Sequence, residues 1–113
     1  MCGLFGAYSF EGLSDDILNR LRMARDTLTH RGPDQAGEFV TSHLYLGHRR
    51  LSIMDISESG RQPMLTADQS IGITVNGEIY NFQALRQELV DLGYVFHSHS
   101  DSEVVLHGYA AWG

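Results

Sequence analysis

The residues of this chain best suited to chemistry stand in short runs: Met1-Cys2-Gly3, His30-Arg31-Gly32-Pro33-Asp34, Arg49-Arg50, Asn76-Gly77-Glu78 and Ser100-Asp101-Ser102-Glu103. Cys2 is the single cysteine. Once Met1 is removed, Cys2 carries a thiol beside a free α-amine, whose reference pKa of about 7.7 to 8.0 makes it a base near neutrality. A thiol with a reference pKa of about 8.5 is only slightly ionised at pH 7, so an adjacent amine that takes its proton would activate it as a nucleophile. The bland alternative is a small buried residue, because free cysteine is among the most buried residue types. Two adjacent arginines are most often a solvated face, yet one held on a strand can offer its planar fork to a carboxylate through two parallel hydrogen bonds. At Asn76-Gly77, backbone amides and an asparagine side chain could face a developing negative charge, although a strand-to-helix turn calls for glycine with or without a function. Asp101 at a helix start reads first as a capping residue. His30, Arg31 and Asp34 read first as a solvated turn.

Positioning these groups takes a packed domain, and 113 residues with 42% hydrophobic content suit one of ordinary size. Residues 3–10 read as a short strand. Ser14 is an N-cap, Asp15 and Asp16 suit the positive end of a helix, and Ile17, Leu21, Ala24 and Leu28 repeat at helical spacing, which predicts a helix over 14–28. Gly32, tolerant of positive φ, and Pro33 stop it. Short apolar runs at 39–41, 44–46 and 51–54 predict hairpin-connected strands, 57–66 reads as a loop, and 71–75 as another strand. Asn76-Gly77 is a common hairpin signal, but no clear second strand follows. Asn81 looks like the N-cap of a helix carrying Phe82, Leu85, Leu89 and Leu92, with Gly93 as its stop. Ser100 to Glu103 resembles a capping box opening a last helix.

Composition narrows the function. Fourteen acidic residues face eight basic ones, all arginine, and the formal charge is -6. The absence of lysine excludes a P-loop lysine, a pyridoxal phosphate Schiff base and a catalytic lysine. The acidic balance argues against nucleic-acid binding by phosphate neutralisation. One cysteine cannot form an internal disulfide, no apolar run reaches the ~18 residues of a membrane span, and no basic n-region marks a signal peptide. A soluble, cytoplasmic protein is expected.

Five blocks in a definite order carry a resemblance: Met1-Cys2-Gly3-Leu4-Phe5-Gly6, His30 to Asp34, Arg50-Leu51-Ser52-Ile53-Met54-Asp55, Val75-Asn76-Gly77-Glu78-Ile79-Tyr80-Asn81 and Ser100-Asp101-Ser102-Glu103-Val104. Together they span nearly the whole chain, and the chain resembles the N-terminal part of class II glutamine amidotransferase domains. Within that class it is most similar to the asparagine synthetase branch, since the glucosamine-phosphate synthase branch typically has tyrosine where Pro33 stands. The resemblance implies an α+β, N-terminal-nucleophile hydrolase fold, a four-layer α/β/β/α sandwich of antiparallel sheets. It implies hydrolysis of the glutamine side-chain amide through a Cys2 thioester, with Asn76 and Gly77 forming the oxyanion hole. Arg50 would hold the substrate carboxylate, Glu78 and Asp101 its ammonium, and the backbone of Leu51 and Ile53 would add hydrogen bonds.

Residues 1–113 would then be the N-terminal portion of the domain, expected to expose apolar faces because the family domain continues with further strands. No cofactor is expected for glutaminase chemistry, while ATP and Mg belong to an absent C-terminal synthetase domain. The full-length enzyme would be a homodimer. The alternatives are an inactive fragment that only binds or folds with a partner chain, and an N-terminal-cysteine hydrolase of another amide.

Overall fold

The computed structural model describes residues 2–51 and 58–113. Its elements run β1 (Gly3–Tyr8), α1 (Asp15–Asp26), β2 (Gln35–Val40), β3 (Leu44–Arg50), a 3-10 turn (Glu58–Gly60), β4 (Met64–Leu65), β5 (Gly72–Ile73), α2 (Phe82–Asp91) and α3 (Asp101–Trp112). The strands form an antiparallel sheet of order β1-β3-β2 and a separate antiparallel ribbon of β4 and β5. The result is a mixed α/β domain with antiparallel sheets. Leu51 lies just past β3, while residues 52–54 of the expected strand, including the site residue Ile53, lie outside the described residues, as does Met1.

α1 begins as its sequence predicts, with Ser14 Oγ accepting from the Ile17 amide at 3.3 Å. It ends two residues short of Leu28. The hydroxyls of Thr27 and Thr29 donate to the carbonyls of Ala24 and Asp26, both at 2.6 Å, and so satisfy acceptors that another helical turn would use. α1 packs on the sheet face carrying Gly3, Phe5 and Tyr45, and a methyl group at Gly3 would lie 2.8 Å from Leu28 Cβ. On the other face Leu4 stays 46% and Tyr8 61% exposed, so one side of the sheet is only partly covered.

β2 starts four residues before its apolar run. Gln35 to Glu38 show no strand-like alternation, but their backbone pairs with Gly47 to Arg50, and Arg22 of α1 holds the Glu38 carboxylate with Nε 3.0 Å from both oxygens. The expected loop at 57–66 contains β4, and the expected strand at 71–75 narrows to Gly72–Ile73. Past Ile73 the Val75 amide donates to the Gln62 side chain rather than to a strand partner, and the Thr74 hydroxyl bonds His48.

Asn81 makes no side-chain cap bond, and the Phe82 amide closes on the Ile79 carbonyl at 3.3 Å. Gly93 does end α2: its φ of 99° lets the Tyr94 amide return to the Leu89 carbonyl at 3.0 Å. At α3, Ser100 Oγ accepts from the Ser102 amide, but Glu103 does not complete the box. Its carboxylate instead accepts from the His97 amide at 2.8 Å and from the Ser98 amide and hydroxyl at 2.7 and 2.6 Å, tying the preceding turn to the helix. The first turn of α3 is buried from Asp101 to Val104.

Candidate active site

Antiparallel pairing brings the nucleophile candidate to the arginines. The register that matches Gly3 with Arg49 sets Cys2 beside the end of β3, 49 residues away in sequence from Leu51. The Leu51 amide donates to Cys2 Sγ at 3.3 Å, and Sγ lies 3.6 Å from the Leu51 carbonyl. The thiol is half-buried and free. A backbone N–H aimed at sulfur is a donor that meets negative charge forming there. Arg31, which could have been a solvated turn residue, donates from Nε to the Cys2 carbonyl at 3.1 Å and fixes the backbone of the nucleophile.

The two arginines separate by strand period. Arg49 points to the α1 face, donating to the Gly32 carbonyl at 3.0 Å and pairing with Asp26 at 3.6 Å. Arg50 points the other way and is buried, with its guanidinium 2.7 Å from Gln35 Oε1 and packed under Gly60. Gln35 in turn donates to Glu58 at 3.2 Å. Gly32 does not use the positive φ expected of it. Its requirement is steric, because a methyl group there would overlap the backbone of Arg49 and Arg50.

The remaining predicted residues gather at the start of α3. Asn76, Gly77 and Glu78 are exposed, and a methyl group on Gly77 would meet nothing within 4 Å. Both flanks of this tripeptide are anchored. Thr74 Oγ1 bonds His48 at 2.7 Å, the Val75 amide donates to Gln62 Oε1 at 2.6 Å, and the Ile79 amide donates to Asp101 Oδ2 at 2.7 Å. Asp101, expected to face a substrate ammonium, is thus buried, with one carboxylate oxygen already engaged by the Ile79 amide. Among the described residues, no hydrogen bond joins this group to Cys2 or Leu51.

The sequence model of the glutamine amidotransferase domain family matches residues 1–113. This chain belongs to that family. It is similar to glutamine-hydrolyzing asparagine synthetase 1 of Bacillus subtilis (strain 168), with 41% identity over 96% of this chain and 17% of the relative. The glutamine-hydrolyzing asparagine synthetase of Brassica oleracea is 42% identical over 100% of this chain and 19% of its own length. Asparagine synthetase B of Escherichia coli (strain K12) is 38% identical over 94% and 19%. The chain therefore spans about a fifth of the curated relatives it matches.

In this amidotransferase chain two buried side chains around the site carried no sequence signal: His48 and Gln62. Each lacks an apolar pattern or a recognisable spacing, and only its long-range partner reveals it. His48 is held on β3 with Nε2 lacking a hydrogen-bond partner among the described residues. Burial, and secondarily the charge of Arg50, push its pKa down from 6.5 to about 4. The unfolded chain therefore binds this proton below about pH 6.5, while the folded chain resists it until about pH 4. Stability is full above that window and falls with pH across it. Urea unfolding should show a loss of roughly 2 to 3 kcal/mol between pH 7 and pH 4.5, largely absent in His48→Gln. A flat profile in the wild type would contradict the buried, neutral imidazole.

Among the described residues no helix is long and apolar enough to cross a membrane.

Proposed function

We propose that this chain is the N-terminal portion of an amidotransferase domain that hydrolyses the side-chain amide of L-glutamine to glutamate and ammonia. The observation that carries this reading is the meeting of Cys2 Sγ with the Leu51 amide, one residue from the buried guanidinium of Arg50, in a chain of this family. With Met1 removed, the Cys2 α-amine takes the thiol proton as sulfur attacks the amide carbon. The amine returns a proton to the departing ammonia, and water then cleaves the γ-glutamyl thioester to release glutamate and restore the thiol. Asn76 through its side-chain amide and Gly77 through its backbone N–H stabilise the oxyanion. Arg50 binds the α-carboxylate, and Glu78 with Asp101 faces the α-ammonium. The backbone of Leu51 and Ile53 adds hydrogen bonds to the substrate. One cation and two carboxylates select a zwitterionic amino acid over a bare amide.

The same reading gives the complete domain a four-layer sandwich of the N-terminal-nucleophile hydrolase type. The partly open sheet face bearing Leu4 and Tyr8 supports it, since a second sheet would bury that face. Ammonia passes to a C-terminal synthetase domain in a cytoplasmic, homodimeric enzyme, and ATP and Mg act there. The described residues gather no group of three or more His, Cys, Asp or Glu side chains able to hold a metal ion.

Ammonia release from glutamine, compared with release from propionamide at equal concentration, tests the reading. Glutamine is expected to react at least about 100-fold faster, the discrimination available to a site that pairs both substrate charges. Equal rates would point to a general amide hydrolase, and no release from either substrate to an inactive fragment.

A further inference from the structure

Gln62 joins two segments that the reaction needs to hold at a fixed separation. It is 7% exposed, and its backbone lies so close to β2 that a methyl group on Gly37 would overlap its carbonyl oxygen. Its side-chain oxygen accepts from the Val75 amide at 2.6 Å, and its side-chain nitrogen donates to Ser102 Oγ at 3.3 Å. A primary amide supplies an acceptor and a donor from one planar group, and the Val75 N–H sets which end points where. Val75 directly precedes Asn76-Gly77, and Ser102 directly follows Asp101. The Ile79 amide bonded to Asp101 completes a closed path that runs from Gln62 through Val75, the exposed tripeptide, Ile79, Asp101 and Ser102 back to Gln62. Gly37 pairs with His48, two residues before Arg50 on the same face of β3, so the path is seated on β2, directly beside the strand that carries the guanidinium.

We propose that Gln62 is a positioning residue of the glutaminase site, holding the oxyanion donors at 76–77 and the carboxylate of Asp101 in register with Cys2 and Arg50. This rests on the glutaminase reading. Gln62 touches no substrate; it acts through Val75 on the rate and through Ser102 on substrate binding. Loss of its acceptor lets Asn76-Gly77 drift from the oxyanion, and loss of the Ser102 bond loosens only the ammonium side.

The test measures kcat and KM for ammonia release from glutamine in wild type, Gln62→Leu and Ser102→Ala, together with the alkylation rate of Cys2 by iodoacetamide. Gln62→Leu is expected to lower kcat by about 100-fold, the scale of a misplacement of about 1 Å in a catalytic group, with alkylation within about twofold of wild type. Ser102→Ala is expected to raise KM several-fold with little change in kcat. A Gln62→Leu enzyme with wild-type kcat, or one whose kcat and alkylation rate fall together, overturns the proposal. Should Gln62→Leu fail to fold, Ser102→Ala decides, and unchanged KM and kcat in that variant overturn it. Absence of turnover in the wild type rejects the glutaminase reading and this inference with it, whereas active wild type with an equally active Gln62→Leu rejects this inference alone.

Discussion

Cys2→Ala is expected to lower ammonia release from glutamine by at least about 10⁴-fold, the cost of deleting a covalent nucleophile from an otherwise intact site. The chain contains no second thiol to take over. The fold should survive, because the lost contacts are those of a half-buried sulfur with the backbone of Leu51, and water can serve the Leu51 amide in its place. Far-ultraviolet circular dichroism and the thermal midpoint should therefore stay close to wild type while activity disappears. Undiminished activity in the variant would end the thioester mechanism. The base has its own check. The intact mass of active protein is expected to lack Met1, since a Cys2 nitrogen in a peptide bond has no basic lone pair. Active protein that retains Met1 would require another base.

Arg50→Ala is expected to raise KM for glutamine by about 100-fold or more, because truncating one partner of a desolvated charge pair costs roughly 2 to 5 kcal/mol. Arg50 is 6% exposed, and Gln35 at 2.7 Å orients its guanidinium, so the fork is held before substrate arrives. Arg50→Lys keeps the charge without the planar fork and should fall between wild type and alanine. Arg50→Ala also empties space beneath Gly60 and removes the bond to Gln35, so its thermal midpoint should drop. Kinetics are therefore compared well below that midpoint. A KM equal to wild type in folded Arg50→Ala protein would reject the carboxylate clamp.

Elements governed by neighbours a few residues away were legible in the sequence. Ser14 with Asp15 and Asp16 starts α1, Gly93 stops α2, and Ser100 opens α3, because capping and positive φ are local properties. Local rules failed where a side chain, near or far in sequence, competed for the same backbone atoms. The Thr27 and Thr29 hydroxyls shortened α1, and the Gln62 side chain took the Val75 amide from the strand expected at 71–75. Glu103 looked like the second half of a capping box, yet its carboxylate turned to three donors in residues 97–98. Gln35 to Glu38 looked unlike a strand and became one because β3 offered them a ladder.

By itself the sequence determined the chemical inventory: one thiol directly behind Met1, a cationic fork at Arg50, an Asn76-Gly77 turn, a carboxylate at Asp101 and the order in which they occur. Those depend only on residue type and position. The tertiary structure decided which atoms meet. It put Sγ of Cys2 against the Leu51 amide, sent Arg49 and Arg50 to opposite faces, engaged Asp101 with Ile79, and made Gln62 the bridge between segments 13 and 40 residues away. The physical reason is that a buried polar group must find a partner wherever the packed chain supplies one, and that partner is set by strand register and close backbone approach rather than by adjacent residues.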